Sequence, residues 1–220
     1  MKYIKLFEEH SYSVYELITM GANQVLSLLV GEIKKENPDL ELIRGILEYS
    51  VIDINSQDSK GWTALRTSAV WGKEKVIELL LKQPGIDVNV KNYDGVTALM
   101  GAAYNGKVKS LELLLGHPEI KVNEQNIIGW TALMGAAKWG NEECVELLLK
   151  HPEIKVNVQG TYGWTALILA TSYQRDKVIE VLLNYPGIDI TLKNDDDFTA
   201  WDWALPYIRK EFPKLNPDFQ

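Results

Sequence analysis

The sequence has a single cysteine and only three histidines among its 220 residues, so it has few side chains for disulfides or metal sites. Cys144 alone cannot form an intrachain disulfide or a four-cysteine metal site. His117 and His151 each precede a proline in equivalent loops, and no third ligand accompanies them, so we expect no metal. No apolar run approaches the roughly 20 residues that a membrane-spanning helix needs.

Basic charge and catalytic motifs are also scarce. The formal net charge is -7, whereas nucleic-acid binding normally depends on a basic patch, so we expect no nucleic-acid partner. No HExxH, P-loop, GxGxxG or nucleophile-elbow motif occurs, which predicts a protein that is not an enzyme and needs no cofactor. Glu8 and Glu9 interrupt the segment where a signal peptide would be apolar, which favours a cytoplasmic or nuclear location without a membrane partner.

A five-residue motif that recurs every 34 residues is the strongest positive feature. It appears as GWTAL at Gly61, GVTAL at Gly95, GWTAL at Gly129, GWTAL at Gly163 and a degenerate DFTAW at Asp197. A fixed period of about this length is typical of stacked repeats, in which each unit buries its face against its neighbours. We therefore predict one continuous, monomeric repeat domain over residues 1–220.

The second repeat shows how each unit is expected to fold. Thr97 offers a hydroxyl that caps a short helix A, and Gly106 ends that helix. Residues 108–115 then place leucines at helical spacing on a helix B, which a following proline stops. Ile120 and Val122 alternate with polar residues, a pattern that predicts a short extended arm and a turn.

Helix, helix, extended arm and turn in this order resemble the ankyrin repeat. The matching residues are the Thr-Ala-Leu stretches at Thr63, Thr97, Thr131 and Thr165, the alanine pairs at Ala102 and Ala136, and the hairpin asparagines Asn55, Asn89, Asn123 and Asn157, with Thr191 in the last unit. The resemblance implies an all-α solenoid of stacked helix pairs joined by β-hairpin-like loops. It assigns 1–52 to an N-terminal extension and capping repeat, 53–196 to four full repeats and 197–220 to a C-terminal cap.

The capping segments are expected to be modified repeats. Residues 23–36 and 39–49 predict a helix A and a helix B, and residues 3–20 predict a further helix or an irregular covering segment. At the other end, Pro206 and Pro213 leave room only for a short polar helix.

Two positions of helix A depart from the family pattern. The family's histidine is replaced by Arg66, Met100, Met134 and Ile168, so we expect apolar packing there instead of a polar network. The second leucine becomes glycine at Gly101 and Gly135, where glycine costs about 1 kcal/mol relative to alanine. We attribute Gly135 to the ring of Trp139 one helical turn later, and a ligand groove is the alternative.

The resemblance also implies where partners bind, because ankyrin proteins most often meet them through turn tips and the concave face of helix A. The corresponding positions are Lys60, Trp62, Trp71, Tyr93, Asp94, Tyr104, Asn105, Ile127, Ile128, Trp130, Lys138, Trp139, Tyr162, Trp164 and Tyr173. Tryptophan and tyrosine bury large areas at low conformational-entropy cost, so we predict a protein or peptide partner.

The tryptophans among these positions fall into two groups. Trp71 and Trp139 favour binding, because their equivalents Asn105 and Tyr173 vary as contact positions do. The three motif tryptophans fit either an interface or structural packing onto the neighbouring hairpin; they are Trp62, Trp130 and Trp164.

Several alternatives stay open from the sequence. Stacked tryptophans with Lys60 or Lys138 could grip a nucleotide or another planar or anionic metabolite, as a small-ligand receptor does. The chain could also be the interaction arm of a microbial effector, since its long period and frequent GWTAL resemble divergent microbial repeats. The hairpin asparagines are candidate hydroxylation sites, and Cys144, in register with Val76 and Val178, is expected to be a half-buried apolar side chain.

Overall fold

The computed structural model describes residues 21–49 and 52–218, and within these ranges the regular secondary structure is helical, without strands. Twelve α-helices follow one another: α1 (Ala22–Ile33), α2 (Leu40–Tyr49), α3 (Ala64–Trp71), α4 (Glu74–Leu80), α5 (Ala98–Tyr104), α6 (Val108–Leu115), α7 (Ala132–Trp139), α8 (Glu142–Leu149), α9 (Ala166–Ser172), α10 (Asp176–Leu183), α11 (Ala200–Trp203) and α12 (Pro206–Glu211). Short 3₁₀ turns cover Thr161–Gly163 and Pro213–Leu215. The expected helix at 3–20 lies outside the described residues.

The helices stack in two parallel rows. Helices α3, α5, α7, α9 and α11 contact one another in sequence as the helix-A row, and α4, α6, α8 and α10 form the helix-B row. Helices α3, α5, α7 and α9 each also contact their own helix B, and the leucines between the rows are buried. This arrangement confirms the predicted all-α solenoid. None of the helices in the described ranges has the length and apolar character needed to cross a bilayer.

Each central helix A begins at the threonine of its repeat motif. The hydroxyl oxygens of Thr63, Thr97, Thr131 and Thr165 accept hydrogen bonds of 3.1–3.3 Å from the backbone N–H three residues later. Such a cap satisfies one of the N–H groups that a helix start leaves unpaired. The threonine is therefore constant because it starts the helix.

The turns that connect the repeats contact one another directly. In one of them, Asn126 N–H donates to the Trp130 carbonyl at 3.0 Å, and Gly129 N–H donates to the Asn126 carbonyl at 2.9 Å. Gly129 has φ +70°, and a Cβ there would lie 2.9 Å from the Cα of Gly160 in the next turn. A side chain is excluded on both counts, so the motif requires glycine at this position.

The expected extended arms contain turns, not strands, and side-chain hydrogen bonds hold them together. Asn123 illustrates the pattern: its amide nitrogen donates to the Glu153 carbonyl at 2.6 Å, and its amide oxygen accepts from Lys155 N–H at 2.9 Å. Asn55, Asn89 and Asn157 bridge to the following repeat in the same way. Because these asparagine side chains pair backbone N–H and C=O groups of the following arm, the arm does not need strand pairing to satisfy those groups.

A second ladder runs through a position that the sequence analysis did not single out. The amide of Gln57 donates to Gly61 O at 2.7 Å within its own turn and to Lys91 O at 2.8 Å in the next. Gln125 and Gln159 repeat this double bond. Lys91 occupies the equivalent position in its repeat and reaches Gln125 O at 3.0 Å. The sequence signal for this ladder was a long side chain with a terminal hydrogen-bond donor that recurs at the same position of each repeat.

The two ends of the stack differ from the central repeats. Helices α1 and α2 match the segments predicted at 23–36 and 39–49 to within a few residues. Asp39 starts α2, because its carboxylate accepts from the backbone N–H groups of Glu41 and Leu42. At the other end Pro206 opens the six-residue α12, as its fixed φ suits the first helical turn.

Candidate functional site

Large apolar side chains are exposed along the helix-A side of the solenoid. Trp71, Tyr104, Trp139 and Tyr173, which end or follow successive helices A, expose between 44% and 49% of their surface, and we call them the aromatic face. The turn tips add Tyr93, Ile127 and Tyr162, each about 70% exposed, together with Ile128. All eight are among the positions that the ankyrin resemblance assigns to partner binding.

The aromatic face is internally ordered by ring contacts. Tyr104 and Trp139 meet edge to face with their centroids 5.2 Å apart. The Lys138 ammonium lies 4.9 Å from the centroids of Trp130 and Tyr173, and 5.8 Å from that of Trp139. Cation–π attraction therefore holds this lysine among three rings. These contacts link Tyr104, Trp139 and Tyr173 into one packed group.

The three motif tryptophans are half-buried, and two of them pack against the core. A Cβ added at Gly160 would lie 2.9 Å from Cδ1 of Trp130, so this ring covers the following turn. Trp164 packs against Trp203 of α11, with ring centroids 5.2 Å apart. Trp62 instead lies under the guanidinium of Arg66, whose central carbon is 3.7 Å from the ring centroid. These positions favour the structural interpretation for Trp130 and Trp164.

The two helix-A glycines face the preceding repeat, and the expected reason for Gly135 is wrong. The atoms nearest to a Cβ at Gly135 would be those of Tyr104, at 3.6 Å and beyond, not the ring of Trp139. At Gly101 a Cβ would lie 2.8 Å from Cγ2 of Val70. Adjacent helices A approach each other here, so the contact runs between repeats and not along one helix.

The same glycines border a cavity of about 320 Å³ between helices α3, α5 and α7. Its wall combines helix residues with residues of the neighbouring turn: Arg66, Val96, Met100, Gly101, Tyr104, Asn105, Asn126, Ile128, Trp130, Thr131, Gly135 and Lys138. The two glycines thus border a cavity as well as packing contacts between repeats, and the ligand-groove alternative stays a hypothesis. Lys138 borders this cavity, whereas Lys60 lies exposed at a turn tip and is not part of its wall.

Arg66 is the functional candidate that sequence reasoning missed. Met100, Met134 and Ile168 are buried apolar side chains at the equivalent positions, as expected, but Arg66 places a cation there and is only 8% exposed. Its Nε and Nη1 atoms are buried, and no described residue forms a hydrogen bond with them. Burial lowers the pKa of Arg66 to about 10, although Asp94 and Asp58 act in the opposite direction. The sequence signal for this candidate was a single charged residue at a repeat position that is apolar in the other units.

Other candidate positions have local structural partners. The Asn105 amide donates to Gly101 O at 2.8 Å, and Asp94 accepts from the Asn92 amide at 3.2 Å. Nδ1 of His117 accepts from Glu119 N–H, and Nδ1 of His151 makes the same bond in the next repeat. In the described ranges no group of three or more potential ligands could hold a metal ion.

Cys144 is fully buried on α8, deeper than the half-buried position expected from the sequence. Burial, with a smaller contribution from Glu143, raises the pKa of its thiol to about 11. A thiol with so little thiolate is a poor nucleophile. This supports the apolar structural role.

Comparison with known families accounts for most of the chain. A family model of ankyrin repeats, in three copies, matches residues 32–126 and 99–194. No curated protein matches the chain. The matched segments include the threonine-capped helices, the bridging asparagines and the turn glycines described above. With these repeats stacked as a helical solenoid over more than half of its length, the chain belongs to the ankyrin-repeat family.

Proposed function

We propose that this protein is a non-enzymatic interaction module that binds a protein or peptide partner through the aromatic face and the adjacent turn tips. Ankyrin repeats are generally protein-interaction modules. The partner-binding positions on this chain, from Lys60 to Tyr173, are part of the proposal.

The distribution of exposed apolar side chains carries the proposal. Among the described residues, eight of the eleven exposed large hydrophobic side chains lie on the aromatic face or at turn tips; the others are Phe198, Leu205 and Tyr207 in the C-terminal cap. The helix-B side instead presents the carboxylates of Glu78, Glu112, Glu146 and Glu180 to solvent. Contiguous exposed apolar surface on one side of a protein marks an interaction site.

The aromatic rings are suited to act as binding hot spots. Binding energy concentrates in a few large aromatic or arginine side chains that a partner can desolvate. Tyr104 and Trp139 already hold each other in an edge-to-face pair, so binding does not have to order them. Preorganised contacts of this kind lower the entropic cost of association.

A double variant tests the proposal. Peptides selected by display against the wild-type chain are titrated into Trp71→Ala/Trp139→Ala by calorimetry. We expect affinity to fall by more than about 2 kcal/mol, roughly 30-fold, with little change in melting temperature. Glu78→Ala/Glu146→Ala is the matched control on the helix-B side and should bind like wild type. Unchanged affinity in the tryptophan variant, or unfolding of that variant without selective loss of binding, contradicts the proposal.

A further inference from the structure

The cavity between α3, α5 and α7 has a charge pattern that the aromatic face does not require. Among the described residues, Arg66 and Lys138 are the charged residues of its wall, and none is a carboxylate, although the chain has a net charge of -7. The other described wall residues are uncharged. A cavity whose charged wall residues are both cations is electrostatically complementary to an anion, even though the protein as a whole is acidic.

Arg66 has an unmet demand for acceptors. A guanidinium carries five N–H donors in a planar fork, and buried donors are normally paired. Nε and Nη1 have no partner in the described part of the chain, and no ion pair joins Arg66 to a carboxylate there. The Trp62 ring covers one face of the guanidinium. This cation–π contact stabilises the positive charge in part, but the ring accepts no hydrogen bond from the N–H groups at the guanidinium edges. Both nitrogens are closed to solvent in this conformation, so acceptor oxygens reach them only when the Arg66 side chain turns one N–H edge towards the cavity.

Lys138 contributes charge from the other side of the cavity. Its ammonium is held by aromatic rings and forms no ion pair in the described ranges. Aromatic rings position a lysine without cancelling its charge. The two cations thus face an incoming group without a competing internal anion on the wall.

The surroundings favour a carboxylate over a phosphate. Asp94 and Asp58 lie near enough to Arg66 to act on its charge, though neither pairs with it. They repel a dianion more strongly than a monoanion. A planar carboxylate also matches the guanidinium fork in a bidentate pair.

The mouth of the cavity favours an anion that is attached to a chain. Tyr104 and Ile128 belong both to the cavity wall and to the exposed apolar surface, and each is 44% exposed. A free small ligand is usually enclosed on most sides. Here a peptide side chain that enters the cavity leaves the adjoining residues of the same peptide in contact with the aromatic face and the turn tips.

We propose that this cavity binds the side-chain carboxylate of an aspartate or glutamate in the peptide segment that docks on the aromatic face. Arg66 turns one edge of its guanidinium towards the cavity and supplies the paired hydrogen bonds. Lys138 supplies longer-range attraction, while apolar residues flanking the acid cover Tyr104 and Ile128. The inference rests on the proposed function, since it names the chemistry that the partner presents there. It makes Arg66 the residue that selects acidic over neutral segments.

Matched tripeptides test this inference on the intact chain. The probes are acetyl-phenylalanyl-glutamyl-phenylalanine amide and its glutaminyl counterpart, followed by NMR of the Arg66 Nε–H and the Trp62 and Trp130 indole N–H groups. We expect saturable shifts with the glutamyl probe in the range of about 1–10 mM, and at least tenfold weaker binding of the glutaminyl probe. Arg66→Met, which installs the residue found at positions 100 and 134, should abolish this preference and keep the fold.

Three results with the matched tripeptides overturn the inference. Equal binding of the two probes, an absence of shifts up to about 10 mM, or an unchanged preference in Arg66→Met each removes the carboxylate site. A glutaminyl peptide with a free C-terminal carboxylate, phenylacetate and inorganic phosphate serve as further probes. Stronger binding of any of these than of the glutamyl probe overturns the assignment to an acidic side chain. The tryptophan double variant, measured with display-selected peptides, judges the wider interface separately.

Discussion

The side-chain oxygen of Asn123 accepts a hydrogen bond of 2.9 Å from the backbone N–H of Lys155 in the next repeat. The amide nitrogen of the same side chain donates to the Glu153 carbonyl, so one asparagine pairs two backbone groups of its neighbour. The last unit has Thr191 at this position, and its backbone N–H and hydroxyl both donate to the Asp189 carboxylate within the same arm. The asparagine thus serves the interface between repeats, whereas Thr191 bonds locally.

Replacing Asn123 by alanine should therefore weaken the stack. Two hydrogen bonds between repeats are lost, each with a net contribution of about 0.5–1.5 kcal/mol, so we expect a loss of about 1–3 kcal/mol in the free energy of unfolding. Urea denaturation followed by circular dichroism measures it. Thr191→Ala is the matched control and should cost less than about 0.5 kcal/mol. Equal losses in the two variants would contradict a role in coupling repeats.

The sequence was sufficient to predict the helical stack, because each local signal agrees with the others. A capping threonine, a terminal glycine and a leucine stripe of helical period all recur with the motif, and each acts within a few residues of its own position. The helices α5 and α6 begin and end close to where these signals place them. The extended arms were less predictable, because side chains bonded to the next repeat replace the strand ladder.

The candidate site was predictable only in its exposed part. Position in the repeat identified Trp71, Trp139 and the turn tips as exposed, since equivalent residues share an environment. Arg66 was missed because its register predicts an apolar neighbourhood, and only the fold shows that a cavity lies beside it. The partner of Gly135 was missed because Tyr104 lies in the preceding repeat and not on the same helix.

The two helix-A glycines should respond differently to alanine. At Gly135 a Cβ would make ordinary contacts with Tyr104, so Gly135→Ala should stabilise the protein by up to about 1 kcal/mol through helix propensity. At Gly101 the Cβ would lie 2.8 Å from Val70, and the resulting overpacking, about 1–3 kcal/mol, should cancel or exceed that gain. Thermal unfolding of both variants measures the difference. A larger gain at Gly101 than at Gly135 would show that this geometry is wrong.

Two buried serines should also respond with opposite signs. The Oγ of Ser110 on α6 is buried and has no hydrogen-bond partner among the described residues, at a position where other repeats have Val76, Cys144 and Val178. Ser110→Ala removes an unsatisfied hydroxyl and should stabilise the protein by about 1 kcal/mol.

Ser68 provides the matched control for that substitution. It is equally buried, but its Oγ donates to the Ala64 carbonyl at 2.9 Å. Ser68→Ala should therefore give no gain and lose up to about 1 kcal/mol. Chemical denaturation of the two variants side by side gives the comparison, and stabilisation of both by the same amount would mean that the hydroxyl contacts do not matter.

The buried thiol predicts a pH dependence at the alkaline end. The pKa of Cys144 is raised from an ordinary 9.0 to about 11, so the folded state keeps a proton that the unfolded chain releases. Stability from this group is complete below about pH 9 and decreases as the pH rises towards 11, by at most about 2 kcal/mol.

Cys144→Val isolates this contribution, because valine occupies the equivalent positions 76 and 178. Lysines and tyrosines also titrate above pH 9, but they are common to both proteins, so the difference between the two stability curves belongs to the thiol. We expect the variant to lose less stability than wild type between pH 9 and 11 in urea titrations. A thiol reagent at pH 8 should label wild type only as fast as the protein opens. Parallel stability curves together with rapid labelling of the folded protein would show that Cys144 is accessible and ionised.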